Sequence, residues 1–166
     1  MNKLLYICTL FFLSFPVLSD MRIYKQELKK DNFEFGDVKV IRIRDTTKSA
    51  VYPEWSIEIY NKDELVASHE GLSFQDIAAN KENSLFVGIS NTGYPATAVI
   101  MFDGKGSLKL HRNHEENLFK YCKQSAYAFK EWYNSEEPGI KFKGVNPAKI
   151  EVNGCDGQVV DVLSKL

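Results

Sequence analysis

Two cysteines, Cys122 and Cys155, carry the most predictable chemistry of this chain. The chain contains three cysteines, and the third, Cys8, lies in an apolar stretch near the N-terminus. If that stretch is removed as a leader, the other two form an isolated pair, which in an exported protein is typical of one disulfide. Neither lies in a C-x-x-C motif or a recognisable cysteine-protease context. We therefore predict a structural Cys122–Cys155 bond, with two buried free thiols as the alternative.

The histidines and acidic residues form no recognisable catalytic or metal-binding motif. The run H-R-N-H-E at 111–115 holds good zinc ligands, but not in the H-E-x-x-H order. We interpret it as a solvated connector and predict no metal site. The chain also lacks a P-loop, a G-x-G-x-x-G motif and an EF-hand loop. The run G-I-S-N-T-G at 88–93 has one residue too many for a nucleophile elbow. We therefore predict no catalytic residue and no cofactor.

One loop, residues 90–95, is the best candidate for ligand binding. It is long for a hairpin connection, rich in hydrogen-bonding groups, and places a tyrosine beside a proline. Loops of this kind on a rigid sheet often bind ligands. The predicted ligand-binding residues are Ser90, Asn91, Thr92 and Tyr94. The alternative is a plain connector in which asparagine and glycine make the turn.

Residues 1–19 have the composition of a secretory signal peptide. A positive start at Lys3 precedes an apolar stretch, Pro16 interrupts it, and V-L-S at 17–19 suits a cleavage site. The stretch is shorter than the roughly 20 apolar residues of a membrane-spanning helix, which disfavours an uncleaved anchor. We predict cleavage before Asp20, one domain over residues 20–166, and no stable membrane anchor after cleavage. The predicted location is the periplasm or the extracellular medium.

The chain that would remain after cleavage is close to neutral. It carries 20 basic and 22 acidic residues, a net charge of −2. Proteins that bind nucleic acid usually present a basic face, so we predict no nucleic-acid partner. An aromatic content of 13% and ordinary amounts of glycine and proline indicate a packed core.

Alternating apolar residues predict an antiparallel meander of β-hairpins. In residues 33–43 the apolar positions change phase after Val40, which indicates a bulge or a strand buried on both faces. Residues 20–32 are weakly patterned and predict an irregular or short helical lead-in. Two similar hairpins are offset by about 42 residues, which is the period of a propeller blade, although any two hairpins resemble each other at this level. The predicted hairpin strands are 54–60 with 65–69, and 98–102 with 107–111.

Residues 114–134 carry the pattern of one amphipathic helix. Asn113 and Glu116 have the spacing of a capping box, and Pro138 follows the segment. The face of the helix comprises Leu118, Cys122, Ser125, Phe129 and Trp132, at spacings of three and four residues. The predicted fold class is therefore α+β: an antiparallel β-meander of blade-like hairpins with one main α-helix packed on the sheet.

Three functions are consistent with these features. A non-catalytic exported protein that binds a protein or an envelope polymer is favoured by the small size, the predicted disulfide and the lack of catalytic motifs. The alternatives are a hydrolase of an envelope polymer, whose site is assembled only by folding, and a structural envelope protein. Converging polar groups in a deep pocket would favour the hydrolase, whereas a flat apolar patch would favour the binding protein.

Overall fold

The computed structural model describes residues 23–92, 96–115, 117–125, 129–144 and 147–165. In these ranges the chain is built almost wholly of β-strands, which form four antiparallel sheets. The predicted signal peptide and its cleavage site at Asp20 lie outside them. None of the described elements is a helix long and apolar enough to cross a membrane.

The first sheet is a four-stranded meander in chain order. Its strands are β1 (Leu28–Phe35), β2 (Val38–Asp45), β3 (Glu54–Asn61) and β4 (Glu64–Glu70). The turn between β1 and β2 begins at Gly36, whose φ of 59° glycine adopts without strain. Lys62 and Asp63 join β3 to β4, so the first predicted hairpin is confirmed.

The second sheet repeats this meander. Its strands are β5 (Asp76–Ala79), β6 (Leu85–Ile89), β7 (Thr97–Asp103) and β8 (Leu108–Asn113). β7 and β8 are the second predicted hairpin, and their turn packs against β4, because the His69 ring nitrogen Nε2 lies 2.8 Å from the carbonyl oxygen of Gly106. The similarity between the two hairpins therefore reflects two successive meanders.

Shorter strands complete the chain. β9 (Lys123–Gln124) pairs with β10 (Lys130–Glu131), and a three-stranded sheet contains β11 (Lys141–Lys143), β12 (Lys149–Asn153) and β13 (Val159–Asp161). A 3₁₀ turn, Leu163–Lys165, follows.

The second sheet contributes to two apolar cores, one on each face. Side chains alternate between the faces of a strand, so β6 and β7 each supply both cores. Gly88 faces the first core, and a Cβ there would lie 2.8 Å from the Cβ of Phe74, so this close approach requires glycine. The first core contains Val38, Val40, Ile57, Ile59, Leu72, Phe74, Phe86, Ile100 and Phe102, and the second contains Val87, Ile89, Ala98, Val99, Phe119, Trp132, Tyr133, Ile150, Val152 and Val162.

The predicted helix over residues 114–134 is wrong, and so is the α+β class. The described part of this segment contains a turn and the short strands β9 and β10. Asn113, the predicted helix cap, is the last residue of β8 and pairs with Thr97. Glu116 lies outside the described residues.

The cause is tertiary pairing. The backbone nitrogen of Lys130 donates to the carbonyl oxygen of Asn91 at 2.7 Å, and Phe129 forms a β-bridge with Thr92. These bonds replace the local bonds of a helix. Aromatic side chains also suit strands, so the spacing of three and four residues did not discriminate between the two structures.

Two further expectations are corrected on the first sheet. Residues 28–32 belong to β1 and are not an irregular or helical lead-in. β2 pairs with both neighbours without a register shift, so the change of apolar phase after Val40 is not a bulge. The alternative, a strand buried on both faces, agrees better with β2, on which every residue is buried or half-buried. The phase changes because the first half of β2 places Val38 and Val40 on the inner face, in the first core. In the second half, the buried Ile43 lies on the opposite face.

Candidate functional site

The inner face of the first sheet, which contacts the second sheet, changes from apolar to charged along its strands. On β2, Val38 and Val40 lie in the first core, and Arg42 and Arg44 follow at alternate positions. β1 divides in the same way, with Phe33 and Phe35 beside the valines and Lys29 and Asp31 beside the arginines. On β3, the core residue Ile57 lies beside Arg42, and Trp55 lies beside Arg44. The charged half of the face thus extends beyond the core.

This charged half lines a cavity of about 300 Å³, here termed the inter-sheet cavity. Its remaining lining comes from Tyr24 before β1, from the segment between β4 and β5, and from the residues just after β6. The cavity is lined by Tyr24, Lys29, Asp31, Arg42, Arg44, Trp55, Ser73, Phe74, Gln75, Ser90 and Thr92.

Arg42 is fixed by bonds to two segments. Its Nε and Nη2 donate to Oδ2 of Asp31 at 3.1 and 2.7 Å, and its Nη1 donates to the carbonyl oxygen of Phe74. The Nζ of Lys29 lies 3.2 Å from Oδ1 of the same carboxylate. Burial alone would raise the pKa of Asp31, but the hydrogen bonds from Arg42 and Lys29 outweigh it and lower that pKa. Asp31 is therefore an ionised partner of two cations and a poor general base.

The guanidinium group of Arg44 is bonded through one of its terminal nitrogens. Its Nη2 lies 3.1 Å from Oε1 of Glu27, and its Cζ lies 4.7 Å from the centre of the Tyr24 ring. Trp55 is its direct cross-strand partner on β3. Only 19% of the Arg44 side chain is exposed, so its charge acts where solvent screening is reduced.

The charges in and around the cavity do not balance. Lys29, Arg42 and Arg44 supply three positive charges among the lining residues, and Asp31 supplies one negative charge. Glu27, which pairs with Arg44, adds a second negative charge. Lys25 also lies 3.8 Å from Glu27, but 84% of its side chain is exposed and its charge is screened by solvent. One positive charge is left over, and the ring of Trp55 lies beside it. This arrangement suits an acidic ligand.

The four predicted ligand-binding residues have different positions. Ser90 and Thr92 line the inter-sheet cavity. Asn91 is buried, and its side chain bonds to the backbone of the C-terminal segment instead. Tyr94 lies outside the described residues. The loop thus contributes two lining residues to a site whose charged groups come from the first sheet.

Arg42, Arg44 and Trp55 were not predicted as site residues from the sequence. A signal was present, because positions 38, 40, 42 and 44 lie on one face of a strand and change from valine to arginine at its middle. When the residues on one face of a strand change from apolar to charged, the charged part of that face lies outside the apolar core. Neither interpretation of the phase change, a bulge or a strand buried on both faces, took this division into account.

A wider groove of about 620 Å³ lies on another side of Trp55. Its apolar residues include Leu28, Ile43 and Pro53. Two of its carboxylates have partners, since Asp45 accepts bonds from Thr47 and Glu54 pairs with Lys48. The groove is lined by three carboxylates, the third being Glu70, and by no cation within the described residues, whereas lysine and arginine side chains that can donate to a ligand line the inter-sheet cavity. The inter-sheet cavity is therefore the better candidate.

Cys122 and Cys155 form a disulfide, with an S–S distance of 1.98 Å. Cys122 is exposed and precedes β9, so it does not lie on the buried face of a helix. The backbone nitrogen of Cys155 donates to the carbonyl oxygen of Trp132 at 3.1 Å. The bond therefore joins the segment around β9 and β10 to the turn between β12 and β13.

The three histidines lie on different elements. His69 is on β4, His111 is on β8, and His114 is buried just after β8. Within the described ranges, no group of three histidine, cysteine, aspartate or glutamate side chains is arranged to hold a metal ion.

No protein-family model, curated protein or solved structure matches this chain. The function of the inter-sheet cavity is therefore inferred from its own chemistry.

Proposed function

We propose that this protein is exported and acts as a non-catalytic binding protein, which holds an acidic group of a protein or envelope-polymer partner in the inter-sheet cavity. The observation that carries the proposal is the excess of positive charge beside Trp55 and Tyr24. Cationic and aromatic side chains together favour ligands that carry both negative charge and an apolar or planar part.

Two features support export to the periplasm or the extracellular medium. The residues at 1–19 have the order of a signal peptide: a positive start, an apolar stretch and a cleavage site. The Cys122–Cys155 disulfide is compatible with an oxidising compartment.

The chemistry of the cavity favours binding over hydrolysis. The cavity does gather polar groups, which is the arrangement expected of an enzyme. However, Asp31 is the one carboxylate among the described lining residues, and its low pKa makes it unsuited to general acid–base catalysis. Neither histidine nor cysteine lines the cavity in the described ranges.

The proposal is tested by affinity capture from an envelope extract with three forms of the purified protein. These are the wild type, Arg44→Gln and Lys39→Gln. The control substitution removes the same charge from the same strand, but Lys39 lies at the other end, where it pairs with the exposed Asp63 and lies over the Tyr60 ring. We expect the wild type and Lys39→Gln to retain one acidic component that Arg44→Gln loses.

The captured component must then bind the wild-type protein directly after purification. Equal capture by all three forms would contradict a role for the cavity. Shortening of a captured polymer during incubation would instead support the hydrolase.

A further inference from the structure

Two hydrogen-bond donors beside the inter-sheet cavity lack acceptors. The Nε of Arg44 and the Nε1 of Trp55 are both buried, and neither has a hydrogen-bond partner within the described residues. Each of these atoms carries one N–H group and can only donate. Buried polar groups are nearly always paired in folded proteins, so two unpaired donors at one place need an explanation.

The two donors belong to directly opposed residues. Arg44 on β2 and Trp55 on β3 are partners in the register of the first sheet, and both side chains line the cavity. The Cβ atoms of opposed residues lie about 4.5–5.5 Å apart. Both N–H groups are enclosed by neighbouring atoms, so one group with two acceptor oxygens can accept from both donors once the two side chains turn towards the cavity.

The surrounding charges define the class of that group. Lys29, Arg42 and Arg44 exceed the carboxylates of Asp31 and Glu27 by one positive charge. Arg42 already donates to Asp31 and Phe74, whereas Arg44, among the residues that the structure describes, is bonded only through Nη2. A ligand with a single negative charge and two coplanar oxygens would complete both the charge balance and the hydrogen bonding.

We infer that the inter-sheet cavity recognises a carboxylate group, whose two oxygens accept hydrogen bonds from Nε of Arg44 and Nε1 of Trp55. This inference rests on the proposed binding function and names the chemical group that the partner presents. Tyr24 lies against the Arg44 guanidinium and limits where that group can move.

The two tryptophans of the chain provide an internal comparison. The Nε1 of Trp132 is buried and donates to the carbonyl oxygen of Ser90 at 2.8 Å, so its N–H is already paired. In a nitrogen–proton correlation spectrum, addition of acetate or benzoate should move the Trp55 indole signal downfield and to saturation. The Trp132 signal should stay in place. Benzamide, which has the shape of benzoate without its charge, should have no effect.

Two variants test the donors separately. Trp55→Phe removes the N–H but keeps an aromatic ring, and Arg44→Lys keeps the charge but removes the Nε donor. Each should weaken benzoate binding at least about tenfold, as expected for a lost hydrogen bond to a charged group. In Trp55→Phe the titration is followed on the backbone amides of Ser90 and Thr92. Lys39→Gln should bind as the wild type does.

Three results would overturn the inference. They are the lack of a saturable Trp55 shift, tighter binding of inorganic phosphate than of benzoate, and unchanged affinity in folded Arg44→Lys. If the protein binds benzoate normally but captures nothing from the envelope extract, only the proposal of a macromolecular partner is contradicted. If capture depends on Arg44 but the protein does not respond to carboxylates, only the inference that the recognised group is a carboxylate is contradicted.

Discussion

The side chain of Asn91 bonds to the backbone of the C-terminal segment in the way that a neighbouring strand would. Its Oδ1 accepts from the backbone nitrogen of Trp132 at 3.0 Å, and its Nδ2 donates to the carbonyl oxygen of Tyr133 at 3.0 Å. Its own backbone nitrogen donates to Oε1 of Gln75 at 2.7 Å. One buried asparagine thus connects the segment after β6 to the C-terminal segment.

Asn91→Ala should therefore destabilise the protein by about 2–4 kcal/mol, because two buried backbone groups would lose their partners. Urea unfolding measures this change in the free energy of unfolding. Asn32→Ala on the exposed side of β1 is the control and should change stability by less than about 0.5 kcal/mol. A wild-type midpoint for Asn91→Ala would show that the bonds contribute little.

His114 is the titrating residue most affected by its surroundings. Burial and the nearby charge of Lys130 lower its pKa to about 4, against a smaller opposing effect of the Ser90 backbone. The unfolded chain, with a histidine pKa of about 6.5, therefore binds the proton more readily than the folded protein.

The contribution of His114 to stability is present above about pH 6.5 and is lost as the pH falls towards about 4. The loss should reach about 2–3 kcal/mol, since each pKa unit is worth about 1.4 kcal/mol. Urea unfolding over this pH range measures it. In His114→Phe, which does not titrate, this part of the pH dependence should disappear. Equal slopes in the two proteins would assign the effect to other groups.

At the scale of elements, the disulfide compensates for the shortness of β9 and β10. These two-residue strands make few backbone bonds of their own, and the bond between Cys122 and Cys155 ties them to the last sheet. The cysteines are 33 residues apart in sequence, so the bond restricts a sizeable loop of the unfolded chain.

Replacement of both cysteines by serine should lower the free energy of unfolding by about 3–4 kcal/mol in the chain-entropy model. Benzoate binding should be unchanged, because the lining residues of the cavity that the structure describes all precede residue 93. Thermal unfolding and the Trp55 indole titration measure the two effects. Protein recovered after export should show no reactive thiol when denatured without reductant, and two would contradict the bond.

At the scale of the whole molecule, the second sheet is packed on both faces and the first sheet on its inner face. The charged half of that inner face extends beyond the first core, and the cavity forms there. The site thus lies where the charged part of the first sheet extends past its contact with the apolar second sheet.

Export is the prediction that concerns the entire chain. In a cell that makes the full-length protein, N-terminal sequencing of the exported form should begin at or near Asp20. The prediction rests on the apolar stretch, which is shorter than a typical membrane-spanning helix, and on residues 17–19, whose types suit a cleavage site. Recovery of the exported protein with Met1 retained would contradict cleavage.

Local patterns in the sequence determined the hairpins and the pair of cysteines. Period-two alternation with D-G or N-K-D turns identifies strands that pair with their neighbours, and such pairing needs no information from distant segments. The closing strands near residues 141–161 follow the same rule. The disulfide followed from counting cysteines and from the expected compartment.

Tertiary structure decided the conformation of residues 114–134 and the position of the site. A spacing of three and four residues suits a helix, but the bonds from Asn91 and Thr92 supplied partners that the segment could not reveal by itself. Likewise, Arg44 and Trp55 are 11 residues apart in sequence and become neighbours only through the register of β2 and β3. Pairing between segments that are distant in sequence depends on which faces of the sheets contact each other. Those contacts are established only when the two sheets pack together.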